Sequence, residues 1–380
     1  MRVTMLNKYY PPHLGGIEYH VRYLAEALVS RDHAQVRAIV ANEGPETIRE
    51  VIAGVDVMRL GRAFAASSTP VALGMRDAIR LEATRPDPAD LLHLHFPYPW
   101  GEVSWLRAHA GLPTVVTYHS DIVRQKIALA AYSPLLRRFL AKANLIISGS
   151  PNLIEHSEFL QPLAEKCRVV PFGYDLTRYD ATPATLARAA ELREGHTRPI
   201  VLFVGRLVYY KGVDVLVRAM ADVDADLVVI GTGPLEGRMR EIAVAAGISD
   251  RITFMPPVPD DELVAWYHAA DVFCLPSVER SEAFGAVQVE AHACGTPVVS
   301  TNLPTGVPFV NQDGVTGLIV PPGDAGALAA ALRRLIDDPE LRARLGAQAR
   351  DRARAMFSLD AMTSGVMDVY REAHEMRKGI

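Results

Sequence analysis

The sequence predicts an α/β protein built from two doubly wound, Rossmann-like domains. Three observations carry that prediction. At 380 residues the chain is longer than one ordinary core holds, and domains of roughly 150 residues make two the natural division. In both halves short apolar runs alternate with helical patterns, the signature of parallel strands joined by crossover helices on both sheet faces. Between the halves, residues 171–198 break the rhythm with Pro171, Gly173, Pro183 and Gly195, and this stretch reads as an inter-domain linker.

The first domain, expected over 1–172, opens with a strand at Val3 to Leu6 and a helix from about Gly16 to Ser30. Strands follow at Val36 to Val40, Val55 to Leu60, Leu91 to Leu94, Thr114 to Thr117 and Leu145 to Ile147. The second, expected over 198–356, restarts with the fully apolar Ile200-Val201-Leu202-Phe203-Val204. Leu227 to Ile230, Ile252 to Phe254, Val272 to Leu275 and Val298-Val299 continue it. After Pro321-Pro322-Gly323-Asp324 the pattern is helical through 325–336, 339–355 and 359–378. The last helix, within 357–380, is expected to pack back onto the first domain.

With 49% apolar and 22% charged residues the chain is globular, neither disordered nor fibrous. Three cysteines without a CxxC spacing suit a reducing compartment. There is no apolar run of about 18 residues, and Met1 to Lys8 enters a strand without a signal-peptide pattern, so a cytoplasmic location is expected. The net charge of −4 gives no reason to expect a nucleic-acid partner. It divides unevenly: residues 1–172 hold 19 Lys+Arg and 16 Asp+Glu, hence +3, and the remainder holds 21 and 28, hence −7. The halves are therefore expected to face different partners.

Open α/β sheets bind ligands beyond the carboxyl ends of their strands, and a cleft between two such domains is the expected site. Candidate residues do follow predicted strands. Ser281-Glu282-Ala283-Phe284-Gly285 precedes a helix that carries Glu290. If the helix starts at Gly285, its first amides favour anions or hydroxyls. Glu290 then lies roughly 7 to 8 Å further along the axis, at about 1.5 Å per residue. Two carboxylates so placed suit the two ends of a sugar nucleotide, although a solvated acidic loop before an ordinary helix has the same pattern. Arg206 and Lys211 leave the strand 200–204 on one loop, where a forked guanidinium and a point ammonium suit a diphosphate and can stabilise its departure without a metal. Gly15-Gly16 opens a helix and permits close backbone approach; a plain turn fits equally. His119, after the strand 114–117, is placed to hydrogen-bond a sugar hydroxyl.

Other patterns carry less. Asp222-Val223-Asp224-Ala225-Asp226 precedes a strand, so it points away from the expected ligand side. His93 and His95 share a strand face, but no Cys or carboxylate cluster completes a zinc set. A glutamate replaces the third glycine of the dinucleotide fingerprint after Gly231 and Gly233. Arg124, Lys126, Arg137, Arg138 and Lys142, interleaved with Leu135, Leu136, Phe139 and Leu140, fit either docking on an anionic membrane or a helix packed on its sheet.

Taken together, Gly15-Gly16, His119, Arg206 with Lys211, and Glu282 with Glu290 around Ala283-Phe284-Gly285 resemble the retaining glycosyltransferases of the two-Rossmann GT-B architecture. The family is glycosyltransferase family 4, or glycosyl transferases group 1. The resemblance runs through nearly the whole chain, including Gly231-Thr232-Gly233-Pro234 and 314–321. It implies that Arg206 and Lys211 clamp the donor diphosphate and that Glu290 binds the ribose. Glu282, with the amides of Ala283 to Gly285, would grip the transferred sugar. Gly16 would abut the phosphates, His119 would contact the sugar, and the base would lie near Gly231 to Pro234 and 255–259. Retention of configuration is implied, with the leaving phosphate taking the acceptor proton; no residue stands out as a nucleophile. Cofactor and metal are expected to be none. The region 282–322 resembles bacterial mannosyl- and rhamnosyltransferases, which favours GDP-mannose, although UDP-sugar enzymes carry the same skeleton. The expected acceptor is a glycan, lipid-linked or small-molecule acceptor. A nucleotide-sugar epimerase of the same architecture and a non-catalytic sugar-nucleotide-binding subunit are the rival readings.

Overall fold

A computed structural model describes residues 1–13, 15–66, 69–122 and 126–378. The chain folds into two compact units, Met1–Tyr174 with Ser358–Ile380, and Asp175–Phe357.

Unit 1 contains β1 (Arg2–Leu6), β2 (Gln35–Ala41), β3 (Ile48–Ile52), β4 (Val55–Leu60), β5 (Phe64–Ala66), β6 (Thr69–Val71), β7 (Leu91–Phe96), β8 (Thr114–Tyr118), β9 (Leu145–Ser148) and β10 (Cys167–Val169). Its main sheet has the order β10-β9-β8-β7-β1-β2-β4-β3. The pairings are parallel except at the edge, where β3 runs antiparallel to β4. That edge hairpin departs from the all-parallel expectation. Ala53 and Gly54 both take positive φ, 48° and 83°, giving the two-residue turn whose twist matches paired strands. The mostly exposed β3 shows no apolar run that the sequence rhythm could register.

Unit 2 contains β11 (Ile200–Val204), β12 (Asp226–Ile230), β13 (Ile252–Met255), β14 (Val272–Leu275), β15 (Val298–Thr301) and β16 (Gly317–Val320). They form a parallel sheet of order β13-β12-β11-β14-β15-β16. All of β11 is buried because the sheet is covered on both faces: Val201 and Phe203 enter one core, Ile200, Leu202 and Val204 the other. This is why the strand reads as an unbroken apolar run instead of an alternating one.

Residues 175–198 are not a linker. They belong to unit 2 and contain the helix Pro183–Glu194, packed against the helix Asp260–Ala269. Thr182 caps it, its hydroxyl accepting from the Thr185 amide at 3.1 Å. Pro183, at the first helical position where an N–H has no intrahelical partner, starts the helix instead of breaking it. Arg188 fixes the pair of helices through two bonds of 2.9 and 2.8 Å to Glu262.

The terminal helix Leu359–Lys378 packs within unit 1. Met362, Val366, Tyr370 and Ala373 form its buried stripe and share a core with Leu24 and Leu28 of the helix Gly16–Ser30. A heptad-like spacing of three and four residues produces that stripe.

Strand order reverses at β11/β14 in unit 2 and at β1/β7 in unit 1. Neighbouring loops leave in opposite directions at such a point and open a crevice beyond the carboxyl ends. Gly15 and Gly16 follow β1, Arg206 and Lys211 follow β11 and Glu282 follows β14, at those points; Gly231 and Gly233 follow β12 and His119 follows β8.

Candidate functional site

In unit 2 the loops after β11 and β14 are stitched together. The Val278 amide donates to the Tyr210 carbonyl at 2.8 Å. Gly212 has φ of 62°, and a Cβ there would collide with the Pro276 carbonyl, so only glycine allows this approach. The result brings Lys211 to Glu282. Nζ lies 2.6 Å from Oε2, and both residues are more than nine-tenths buried. The Ser277 hydroxyl donates to the same carboxylate oxygen at 3.0 Å. Arg206 is exposed on the same loop, its guanidinium donating to the Tyr210 hydroxyl at 3.1 Å. One buried ammonium, one accessible guanidinium and one carboxylate thus face the switch point.

Gly231 and Gly233, candidates for the donor side, also bring two strand-end loops together. A Cβ on Gly231 would meet the Gly205 carbonyl, and one on Gly233 the Leu207 carbonyl. The two strand-end loops are also bonded directly, Leu207 to Thr232 at 2.9 Å. These glycines therefore let one loop lie against the loop that carries Arg206 and Lys211, a packing role the residues themselves demand.

The helix after β14 runs Ala286–Ala293 with Gly285 as its cap, at φ 72° and ψ 60°. A Cβ on Gly285 would press on Leu275 and Gln288. Phe284 is buried edge-on against Phe357, and the Ala283 carbonyl accepts from the Gly306 amide at 2.8 Å, which holds the turn in place. Glu290, fifth in the helix, accepts from the Tyr267 hydroxyl at 2.7 Å. Burial pushes its carboxyl above the usual range, with the Tyr267 hydrogen bond, the Arg178 charge and the Tyr179 hydrogen bond acting in the opposite direction. The two glutamates thus sit in unlike surroundings, Glu282 against a cation and Glu290 against phenols.

In unit 1, Gly15 caps the helix Gly16–Ser30 in an extended conformation, without a side-chain cap. The Glu18 carboxylate curls back toward Gly15, where a Cβ would strike it. A Cβ on Gly16 would meet nothing within 4 Å, so the chain there is open to close approach. His119 follows β8 and is buried. Its Nε2 lies 3.1 Å from His95 Nδ1, and its ring stacks on Phe172.

His119 belongs to a larger group. His93 and His95 lie on one face of β7, ring centroids 4.3 Å apart. His20 reaches the group from the helix Gly16–Ser30, 5.0 Å from the His119 ring. His93 is fully committed, bonded at 2.7 Å to both Tyr370 and Thr117. Burial lowers His20 to about 4 and His93 to about 3. Burial, reinforced by mutual repulsion, holds His95 and His119 well below the ordinary imidazole range. All four are neutral near pH 7. Sequence reading paired only His93 with His95; the parallel register of β7 and β8, His95 opposite Thr117, was the available clue that His119, two residues on, shares that face.

Of the remaining patterns, two carboxylates of the acidic run have partners within unit 2, Asp224 an ion pair with Arg198 at 2.9 Å and Asp226 a hydrogen bond with His196 at 2.8 Å. Arg124 and the side chain of Lys126 lie outside the described residues. In the helix Lys126–Lys142, Leu136, Phe139 and Leu140 are buried in the core of unit 1, and Arg138 and Lys142 are exposed. No helix among the described residues is long and apolar enough to cross a membrane.

Comparison with known proteins follows the same division. The pattern of the family described as Glycosyltransferase Family 4 matches residues 14–178, and that described as Glycosyl transferases group 1 matches residues 187–352. The chain is 34% identical to O-antigen chain mannosyltransferase C of Escherichia coli, over 97% of this chain and 98% of that one. It is 37% identical to D-rhamnosyltransferase WbpZ of Pseudomonas aeruginosa, over 71% and 70%. Among solved structures, sucrose-phosphate synthase from Thermosynechococcus elongatus superposes with a TM-score of 0.77 at 26% identity, covering 99% of each chain. Anabaena HepE in complex with UDP gives 0.76 at 21%, covering 98% of this chain and all of that one, a likeness of fold. Matched over both units and aligned end to end with a mannosyltransferase, this chain belongs to glycosyltransferase family 4 and is a glycosyltransferase of the GT-B type.

Proposed function

We propose that the enzyme transfers a mannose-configured hexose, with GDP-mannose as donor, to a growing cell-envelope glycan, with retention and without a metal. The observation that carries the reading is the Lys211–Glu282–Ser277 cluster beside Arg206 at the strand-order reversal of unit 2. Two cations there can bind a diphosphate and stabilise its departure, so the protein's contribution is positioning and electrostatics. As the pair stands, Lys211 is held by Glu282; a diphosphate would compete for the ammonium and free the carboxylate for sugar hydroxyls. Glu290 is assigned to the ribose and His119 to the transferred sugar, as a neutral hydrogen-bonding group. The donor assignment rests on the relatives: one is named a mannosyltransferase and another a D-rhamnosyltransferase, and D-rhamnose is 6-deoxymannose. The leaving phosphate is assigned as the acceptor of the incoming hydroxyl's proton.

A thermal-shift panel of GDP, UDP, ADP and dTDP with their sugars tests the donor. A ligand at 100 times its Kd adds about 2.7 kcal/mol of stability. GDP and GDP-mannose are expected to give the largest shifts; a larger shift with UDP would overturn the choice of base. In the same assay Glu290→Ala is expected to weaken bare GDP. Glu282→Gln is expected to spare or strengthen it while lowering turnover, because it releases Lys211.

The membrane enters the proposal as a surface. The apolar face of the helix Lys126–Lys142 is buried, so contact would be electrostatic, through exposed Arg138 and Lys142 at about 1 kcal/mol per cation. Flotation with phosphatidylglycerol vesicles is expected to recover the enzyme at low salt and lose it as salt rises. Absence of binding at every salt concentration would remove the membrane from the proposal.

A further inference from the structure

We propose that His20, His95 and His119 form a binding site for one borderline transition-metal ion of the zinc class. One ring nitrogen from each lies within 4.8 Å of those of the other two. Three different elements deliver them: the helix Gly16–Ser30, the end of β7, and the residue just past β8.

The geometry is close to what such an ion requires. At Zn–N distances of about 2.0–2.1 Å, tetrahedral nitrogens stand about 3.3 Å apart. His95 Nδ1 and His119 Nε2 are 3.1 Å apart, a hydrogen bond that ligation by both nitrogens would replace, and a His20 nitrogen lies within 4.8 Å of a nitrogen of each.

Hydrogen-bond satisfaction points the same way. His20 Nδ1 is buried without a hydrogen-bond partner, and such a group costs about 1–3 kcal/mol. His93 is outside the donor set because both its nitrogens are committed, and its ring packs on His95, limiting that ring's freedom. Three imidazoles leave a fourth coordination position for water or another ligand.

Transfer itself is proposed to proceed without a metal, so the ion would act as an inhibitor by capturing His119. That consequence rests on the sugar-binding role assigned to His119 above; the binding site does not.

The test uses untagged enzyme freed of metal with a chelator. Zinc chloride is titrated by calorimetry and cobalt chloride by visible absorption, with circular dichroism as a check that variants are folded. One equivalent of each metal is expected to bind, with cobalt showing the intense absorption of a low-coordinate nitrogen site. His20→Gln and His95→Gln are each expected to weaken zinc by at least about 100-fold. His13→Gln, at the surface pair with Glu43, is expected to leave binding unchanged. Absence of saturable binding, or equal affinity in a folded His20→Gln/His95→Gln double variant, overturns the site. One-equivalent binding without loss of transferase activity supports the site and overturns the role given to His119.

Discussion

Lys211→Met is expected to lower turnover about 10²- to 10³-fold, the loss typical when one preorganised charge-stabilising donor is removed. The ammonium is buried and directed at the switch-point crevice by the Gly212 turn, so little can substitute for it. A simple loss of activity would be ambiguous, because the substitution also strands Glu282, a carboxylate only 8% exposed. Removing one partner of a buried pair costs up to about 3–5 kcal/mol, here moderated by the Ser277 hydroxyl. The double variant Lys211→Met/Glu282→Gln separates the effects. It is expected to recover most of the lost stability, read as denaturant midpoint, and to remain inactive with GDP-mannose. Recovery of activity along with stability would show that Lys211 only holds the loop.

Lowering the pH from 7 to 5 is expected to destabilise unit 1, because its four clustered histidines outweigh the buried carboxyl of Glu102 that opposes them. His20 and His93 titrate at about 4 and about 3 when folded, against about 6.5 when unfolded. Below pH 6.5 the unfolded chain therefore binds more protons, and stability falls with pH until the folded values are reached. At pH 5 each histidine held neutral has cost about 2 kcal/mol, from 1.36 kcal/mol per unit over 1.5 units. His20 and His93 alone account for about 4 kcal/mol, and His95 and His119 are displaced in the same direction. Glu102, pushed up to about 8 by burial, opposes them: it is protonated in the fold and ionised in the unfolded chain over this range, so lowering the pH returns about 2.7 kcal/mol, from 1.36 kcal/mol per unit over two units. In unit 2, His292 is held to about 3 in the same way and adds a smaller loss there. Chemical denaturation at pH 7, 6 and 5, followed by hydrogen exchange resolved to each unit, measures the effect. Equal stability of unit 1 at the three values would mean that the cluster is hydrated and takes up protons without cost.

Sequence alone located most of the parallel strands because buried strands leave continuous apolar runs, and β11 is the clearest example. It failed where the signal depends on context. Pro183 looked like a breaker because proline both ends and begins helices, and only the cap at Thr182 and the packing partner Glu262 decide between the two. The exposed β3 depends on its neighbour β4 and on a two-residue turn, not on its own hydrophobicity.

The candidate site divides in the same way. Residue types and strand-end positions single out Arg206, Lys211, Glu282 and His119 as candidates, with Glu290 on the helix that follows Glu282, since charge and position after a strand are local properties. Their partners are not local. That Lys211 meets Glu282, that Glu290 meets Tyr267, and that Gly231 serves the Gly205 backbone follow from loops of non-consecutive strands lying side by side. The histidines make the same point: His20, His95 and His119 are separated by 75 and 24 residues in sequence, and only the β1/β7 reversal with the β7–β8 register gathers them. The sequence determined the class of fold, the strands and the chemistry available at their ends. Tertiary structure decided which of those groups face one another, because pairing across a parallel sheet is set by strand order, and strand order leaves no trace in local periodicity.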